Sequence, residues 1–208
     1  MKPPPRRIDR FALLLAVGML LFPAACGDTA SSQPSPTGPA ADLQAAATAM
    51  KAVTTFHFTA KVVTGSQQTQ ISGEFGAPNN LHETAQIGSQ YVELIRVGSR
   101  TVVRSAPSAA WTVSTAASQS AAGDPRAAFG ALGSAGDVTI SGSTYTFTLT
   151  GAAAASLVQG ASKVTGTATL TDGRIATLSY LSTTPPVSVV LAYSSFNSAA
   201  TITLPAGV

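Results

Sequence analysis

Few residues of this 208-residue chain have types and spacing that could do chemistry. Cys26 is the only cysteine, so its thiol has no disulfide partner within the chain. The two histidines, His57 and His82, fall in different strand candidates and share no metal-ligand spacing with an acid. Glu74, Glu83 and Glu93 are isolated acids on strand candidates. They could act as paired carboxylates only if folding brought them together, and are otherwise expected to face water. Serines are numerous, yet a serine nucleophile needs a positioned base, and no local pattern nominates one. No G-x-S-x-G elbow, P-loop, zincin helix or dinucleotide-type glycine pattern occurs. The expectation is a chain that is not an enzyme and uses neither metal nor cofactor.

Cys26 is the residue with the most specific surroundings. Lys2, Arg6, Arg7 and Arg10 stand ahead of it against one acid, Asp9. A short apolar run, Phe11 to Phe22, comes next, then the small residues Pro23-Ala24-Ala25 before Cys26-Gly27. Positive head, apolar middle and small-residue cleavage site are the parts of a secretory leader. As a helix the run would rise only about 18 Å, against the ~30 Å of a bilayer's hydrocarbon core. Its flanking charges favour export of the chain beyond it. Ala24-Ala25-Cys26-Gly27 resembles a lipobox, with Pro23 where a leucine is usual. Residues 1–25 are therefore expected to be a lipoprotein signal, cut before a Cys26 that carries lipid. An ordinary leader with an incidental cysteine is the alternative. Arg6-Arg7 suggests a twin-arginine signal, but Asp9 stands where that motif wants an apolar residue.

The elements behind that leader carry little net charge. Residues 1–25 hold four of the twelve basic and one of the nine acidic residues, leaving eight of each sign. With no basic stripe left, nucleic-acid binding loses its electrostatic support. Residues 26–40 form the expected lipidated cysteine and tether. The thirteen residues from Asp28 to Ala40 lack any large apolar side chain and reach about 20 Å as a coil, or about 40 Å if stiffened by proline.

Residues 41–208 are expected to form one domain. A helix is predicted over Ala41–Val53, with Leu43, Ala46, Ala47, Met50 and Val53 on one face. The period then drops to two: Phe56, Phe58, Ala60 and Val62 alternate with His57, Thr59, Lys61 and Val63. Further strands are predicted at Gln70–Phe75, Leu81–Ile87, Gln90–Val97, Arg100–Ser105, Trp111–Val113, Asp137–Ser141, Thr144–Thr150, Val164–Leu170, Ile175–Leu181, Val187–Phe196 and Thr201–Leu204. Turns fall at Gly98-Ser99, Gly142-Ser143 and Asp172-Gly173. Asp124-Pro125 reads as a cap and first position for a short helix with Phe129 and Leu132 inward, and Ala152–Gln159 as another helix. The fold class is α+β, mainly antiparallel: one curved sheet of about ten or eleven strands, one leading helix and short inserts.

This order resembles the LppX/LprA/LprF/LprG lipoproteins of actinobacteria, whose fold is similar to that of the LolA lipoprotein carrier. The resemblance rests on the leading helix running into TTFHFTAKV, on the glycine hairpin in YVELIRVGSRTVVRS, and on DGRIATLSY followed by VSVVLAYSSFNSAATITLPAG. It implies a half-barrel closed by helices over an apolar cavity and a lipid or glycolipid cargo. The leader and Cys26 set the expected location, anchored by lipid on the outer face of the cell membrane. Several strands are apolar on both faces: Val92 and Leu94 alternate with Tyr91, Ile95 and Val97, and Val190 and Ala192 with Val189, Leu191 and Tyr193. Both faces of such strands should be covered. Alternation nominates Phe58, Val62, Val92, Leu94, Phe147, Leu149, Val189 and Leu191 as cavity residues, with ordinary filled core as the alternative. A non-carrier envelope lipoprotein that docks a protein partner, such as a membrane transporter, is the competing function.

Overall fold

The computed structural model describes residues 37–114, 125–198 and 201–208. The expected signal, Cys26, most of the tether and the capping residue Asp124 lie outside the described residues.

The first helix, α1 (Pro39–Lys51), starts two residues earlier than its periodicity suggests. Pro39 has no N–H to lose in a first turn, and Gly38 precedes it at φ 65°, a conformation glycine enters without strain. Asp42 and Lys51 complement the helix dipole at its two ends. Leu43, Ala46, Ala47 and Met50 are buried.

Six strands follow in meander order: β1 (Thr55–Thr64), β2 (Gln67–Gly76), β3 (Asn80–Ile87), β4 (Gln90–Val97), β5 (Arg100–Arg104) and the two-residue β6 (Thr112–Val113). After α2 (Ala127–Leu132) come β7 (Gly136–Ser141), β8 (Thr144–Thr150), α3 (Gly151–Leu157), β9 (Lys163–Thr171), β10 (Arg174–Thr183) and β11 (Pro186–Ser194). All eleven lie in one antiparallel sheet, ordered β6-β5-β4-β3-β2-β1-β11-β10-β9-β8-β7. Two meanders are thus joined at the centre, where β1 pairs with β11 from His57↔Ser194 to Thr64↔Val187. The sheet does not close, and β6 and β7 are its edges. Register shifts in β10 and β7 bend their strands. Asp172 and Gly173, at φ 51° and 69°, make the left-handed pair that a tight β9–β10 hairpin requires.

Directly opposed residues share a face, so the registers define an inner face with one row Phe75–Phe56 and a second Leu94–Glu83–Gly73–Phe58–Tyr193. The helices cover this face: α1 touches α2, β7 and β10, and α3 touches β8 and β9. One apolar core lies between the two layers.

Three local expectations are corrected. Thr201–Leu204 forms no strand, because β11 already has β1 on one side and β10 on the other, leaving no free edge beside it. Pro125 lies in a turn two residues ahead of α2 rather than at its first position, and Arg126 is the capping residue. Cover on both faces of β11 is not found among the described residues: their three helices sit inside, and Val190, facing out, is 46% exposed.

Candidate functional site

The registers place all eight nominated cavity residues on the inner face. They fall along four rows between β4 and β8, Leu149 lying alone on the fourth opposite Val164. Phe58, Leu94, Phe147, Leu149, Val189 and Leu191 are buried, Val62 is partly buried, and Val92 is 36% exposed. They do not converge on one point. Their neighbours Phe56, Phe75, Leu81, Ile175, Leu178 and Tyr193 are equally internal; alternation in β2 signals Phe75, whereas Ile175 and Leu178 share a face only through the register shift in β10.

The interior is filled by aromatic rings. Phe56 stacks on Phe75 at 4.9 Å and meets Tyr193 edge-on at 5.6 Å. Phe129 from α2 drops into the same cluster, 5.3 Å from Tyr193. Two rings cover glycines on a neighbouring strand: Phe58 over Gly73 and Phe147 over Gly166. A Cβ on Gly73 would come within 2.8 Å of the Phe58 ring, and one on Gly166 within 2.5 Å of the Phe147 ring. The closing segment explains its own spacing: Tyr193 donates to the Pro125 carbonyl at 3.1 Å, while Asn197 Oδ1 accepts from the Thr54 backbone N–H at 2.9 Å. It thereby ties β11 to α2 and to the α1–β1 junction.

Polar contacts also tie the helical layer to the sheet. Arg126 lies over the Phe75 ring at 4.4 Å and donates to the Pro78 carbonyl. On α1, Asp42 reaches Tyr145 of β8. Burial, then the charge of Asp42 and its hydrogen bond, push the Tyr145 hydroxyl above its ordinary value. Burial alone pushes Tyr180, on the inner side of β10, up to about 12.

The acids do not all face water. Glu74 is exposed, but Glu83 and Glu93 are 3% and 5% exposed. Glu83 sits on the inner face opposite Gly73 and Leu94. Glu93 points to the outer face, where Oε1 accepts from His82 Nε2 at 2.8 Å. Its Oε2 accepts from Tyr91 at 2.8 Å and from Arg104 Nε at 2.6 Å. Arg104 in turn lies over Trp111 at 4.6 Å. Burial acts to raise the Glu93 carboxyl, but the hydrogen bonds from His82, Tyr91 and Arg104 outweigh it and hold the group below its ordinary value. The Gly98-Ser99 turn foretold this pairing, since a two-residue hairpin there sets Glu93 opposite Arg104. Among the described residues, no group of three or more His, Cys, Asp or Glu side chains could hold a metal ion. Nor is any helix among them long and apolar enough to cross a membrane.

An open antiparallel half-barrel with an apolar inner face roofed by helices is a defined class of fold. The chain shares it with LprF from Mycobacterium bovis, at 13% identity and a TM-score of 0.61, over 81% of this chain and 97% of that one. It also matches the lipoprotein LppX from Mycobacterium tuberculosis, at 14% identity and a TM-score of 0.54, over 79% and 97%. At such identities the likeness is one of fold, and it is the fold that the sequence resemblance implied. No family model matches the chain, and no curated protein does.

Proposed function

We propose that this chain is an exported lipoprotein, anchored through Cys26 on the outer face of the cell membrane, that binds the acyl chains of a lipid or glycolipid between its sheet and its helices. The observation that carries this reading is the inner face: apart from Glu83 and Ser182 it is apolar from β4 to β10, and short helices instead of a second sheet pack on it across β7–β10. The fold shared with LprF and the lipoprotein LppX supports it. Each methylene taken from water is worth about 0.8 kcal/mol, so such a face favours an acyl chain strongly once room exists.

Room requires the helices to move. Phe129 is fully buried in the aromatic cluster, and α2 has no side-chain cap at its start. Withdrawal of α2 would expose Phe56, Phe75 and Tyr193 together. Its aromatic plug is then the group that a cargo chain replaces, and opening of this kind is how lids admit ligands. The eight nominated residues would line the opened space, with Val62 and Val92 at its rim.

The filled interior favours a second reading, a non-carrier envelope lipoprotein that docks a protein partner such as a transporter. Extraction of the intact protein from its native membrane, followed by mass spectrometry of bound lipid, separates the two. A carrier yields stoichiometric diacyl lipid or glycolipid, and Phe129→Ala increases uptake of a fluorescent acyl probe. A protein that emerges lipid-free, with a probe affinity that Phe129→Ala does not change, supports the docking role.

A further inference from the structure

Two arginines meet at one turn beside the aromatic cluster. Arg96 stands on the inner face of β4, opposite Leu81, in the row that continues through Phe75 to Phe56. Its Nε donates to the Asn79 carbonyl at 3.1 Å. Arg126, at the start of α2, donates to the preceding carbonyl, that of Pro78, at 3.3 Å and lies over the Phe75 ring at 4.4 Å. Consecutive carbonyls of one turn thus hold two guanidiniums side by side. The turn itself is fixed. The Ala77 N–H donates to the Thr54 carbonyl at 2.7 Å, and Asn80 Oδ1 accepts from the Gly98 N–H at 3.0 Å. Arg100, exposed at the first position of β5, adds a third cation at this end of the sheet.

Like charges held this close repel unless an anion joins them. Among the described residues, no carboxylate lies within ion-pair reach of Arg96. Its bond to Asn79 uses the Nε–H alone, so the two terminal amino groups keep donors that match the oxygens of a phosphate. The acids nearest by register do not line the turn. Glu83 is one row deeper on the same face and only 3% exposed, and Glu74 points to the opposite face. Three cations against Glu83 leave this end of the inner face positive. The cations also border the rings without a break. Phe75, beneath Arg126, stacks on Phe56 at 4.9 Å, and Phe56 meets Phe129 edge-on at 6.4 Å. Positive charge at one end of an apolar path complements a molecule whose hydrocarbon ends in an anion.

We propose that Arg96 and Arg126 hold the phosphate of the cargo, so that the lipid taken up between sheet and helices is an anionic phosphodiester. This rests on the carrier reading above and narrows its substrate class. The start of α2 is pinned for the purpose, because Tyr193 holds the Pro125 carbonyl and the Pro78 carbonyl holds Arg126. The helix can then give way at Phe129 while the headgroup site stays in place. Intact protein in non-ionic detergent, loaded with the fluorescent acyl probe, is titrated with dioleoylphosphatidylglycerol and with dioleoylglycerol, whose chains are the same. The phospholipid should displace the probe at about tenfold lower concentration, the contribution of one charge-assisted hydrogen bond. Arg96→Gln should bring the two concentrations together. Arg96→Lys, which keeps the charge and loses the fork, should fall between them. Equal displacement by both lipids in the parent, or an undiminished preference in Arg96→Gln, would overturn the headgroup site. So would loss of the preference when inorganic phosphate is added at the phospholipid's concentration, which would mark a site for the free ion. A parent that never takes up the probe, or yields it to neither lipid, removes the carrier reading and this site together.

Discussion

Glu93 shows how one side chain can hold a patch of sheet together. Its carboxylate takes hydrogen bonds from three strands, since His82 lies on β3, Tyr91 on β4 and Arg104 on β5. With the folded value held below the ordinary 4.5, the charged form contributes stability in full above the unfolded value. That contribution is lost as pH falls through the lower folded value. Glu93→Gln keeps the shape and removes the charge, leaving the Arg104 guanidinium, 22% exposed, without its counter-ion. A loss of about 2 kcal/mol at neutral pH is expected, shrinking below the folded carboxyl value, where the parent is protonated as well. Urea denaturation of both proteins across the acid range checks this. A constant difference at every pH would assign the loss to packing.

At the scale of elements, the two halves of the sheet use the same device. In each, a phenylalanine on the inner face lies over a glycine of the adjacent strand, Phe58 over Gly73 and Phe147 over Gly166. A ring can lie that low only where the neighbour has no Cβ. Gly166→Ala would drive a methyl to 2.5 Å from both the Phe147 ring and the Ser179 carbonyl, and Gly73→Ala to 2.6 Å from the His82 carbonyl. Backbone cannot yield as a flexible side chain does, so each change should cost about 2 kcal/mol or more. The lowered thermal midpoint should be recovered in part by pairing Gly166→Ala with Phe147→Leu, which frees the space. A double variant no more stable than the single one would mean that the ring is not the obstacle.

For the whole molecule the decisive test is location. Cys26→Ser should release the protein from the membrane fraction or leave its leader uncut, as gel mobility and fractionation will show. Fractionation and mobility like the parent's would remove the anchor from the account. What the sequence by itself determined of the described fold was local: the order of helix and strands, and the partners within hairpins, where a two-residue turn sets register for the whole arm. Period-two patterning even put the eight nominated residues on one face, because alternation has only two outcomes. The meeting of β1 with β11, some 130 residues apart, was not legible, nor was the choice of which face the helices would cover. Neither can be read from local pattern, since pairing of distant strands is decided by burial summed over the assembled sheet. The tertiary structure alone decided that the inner face is filled by rings and packed beneath the helices, while the outer face is left to polar side chains such as Thr59, Ser72 and Thr84.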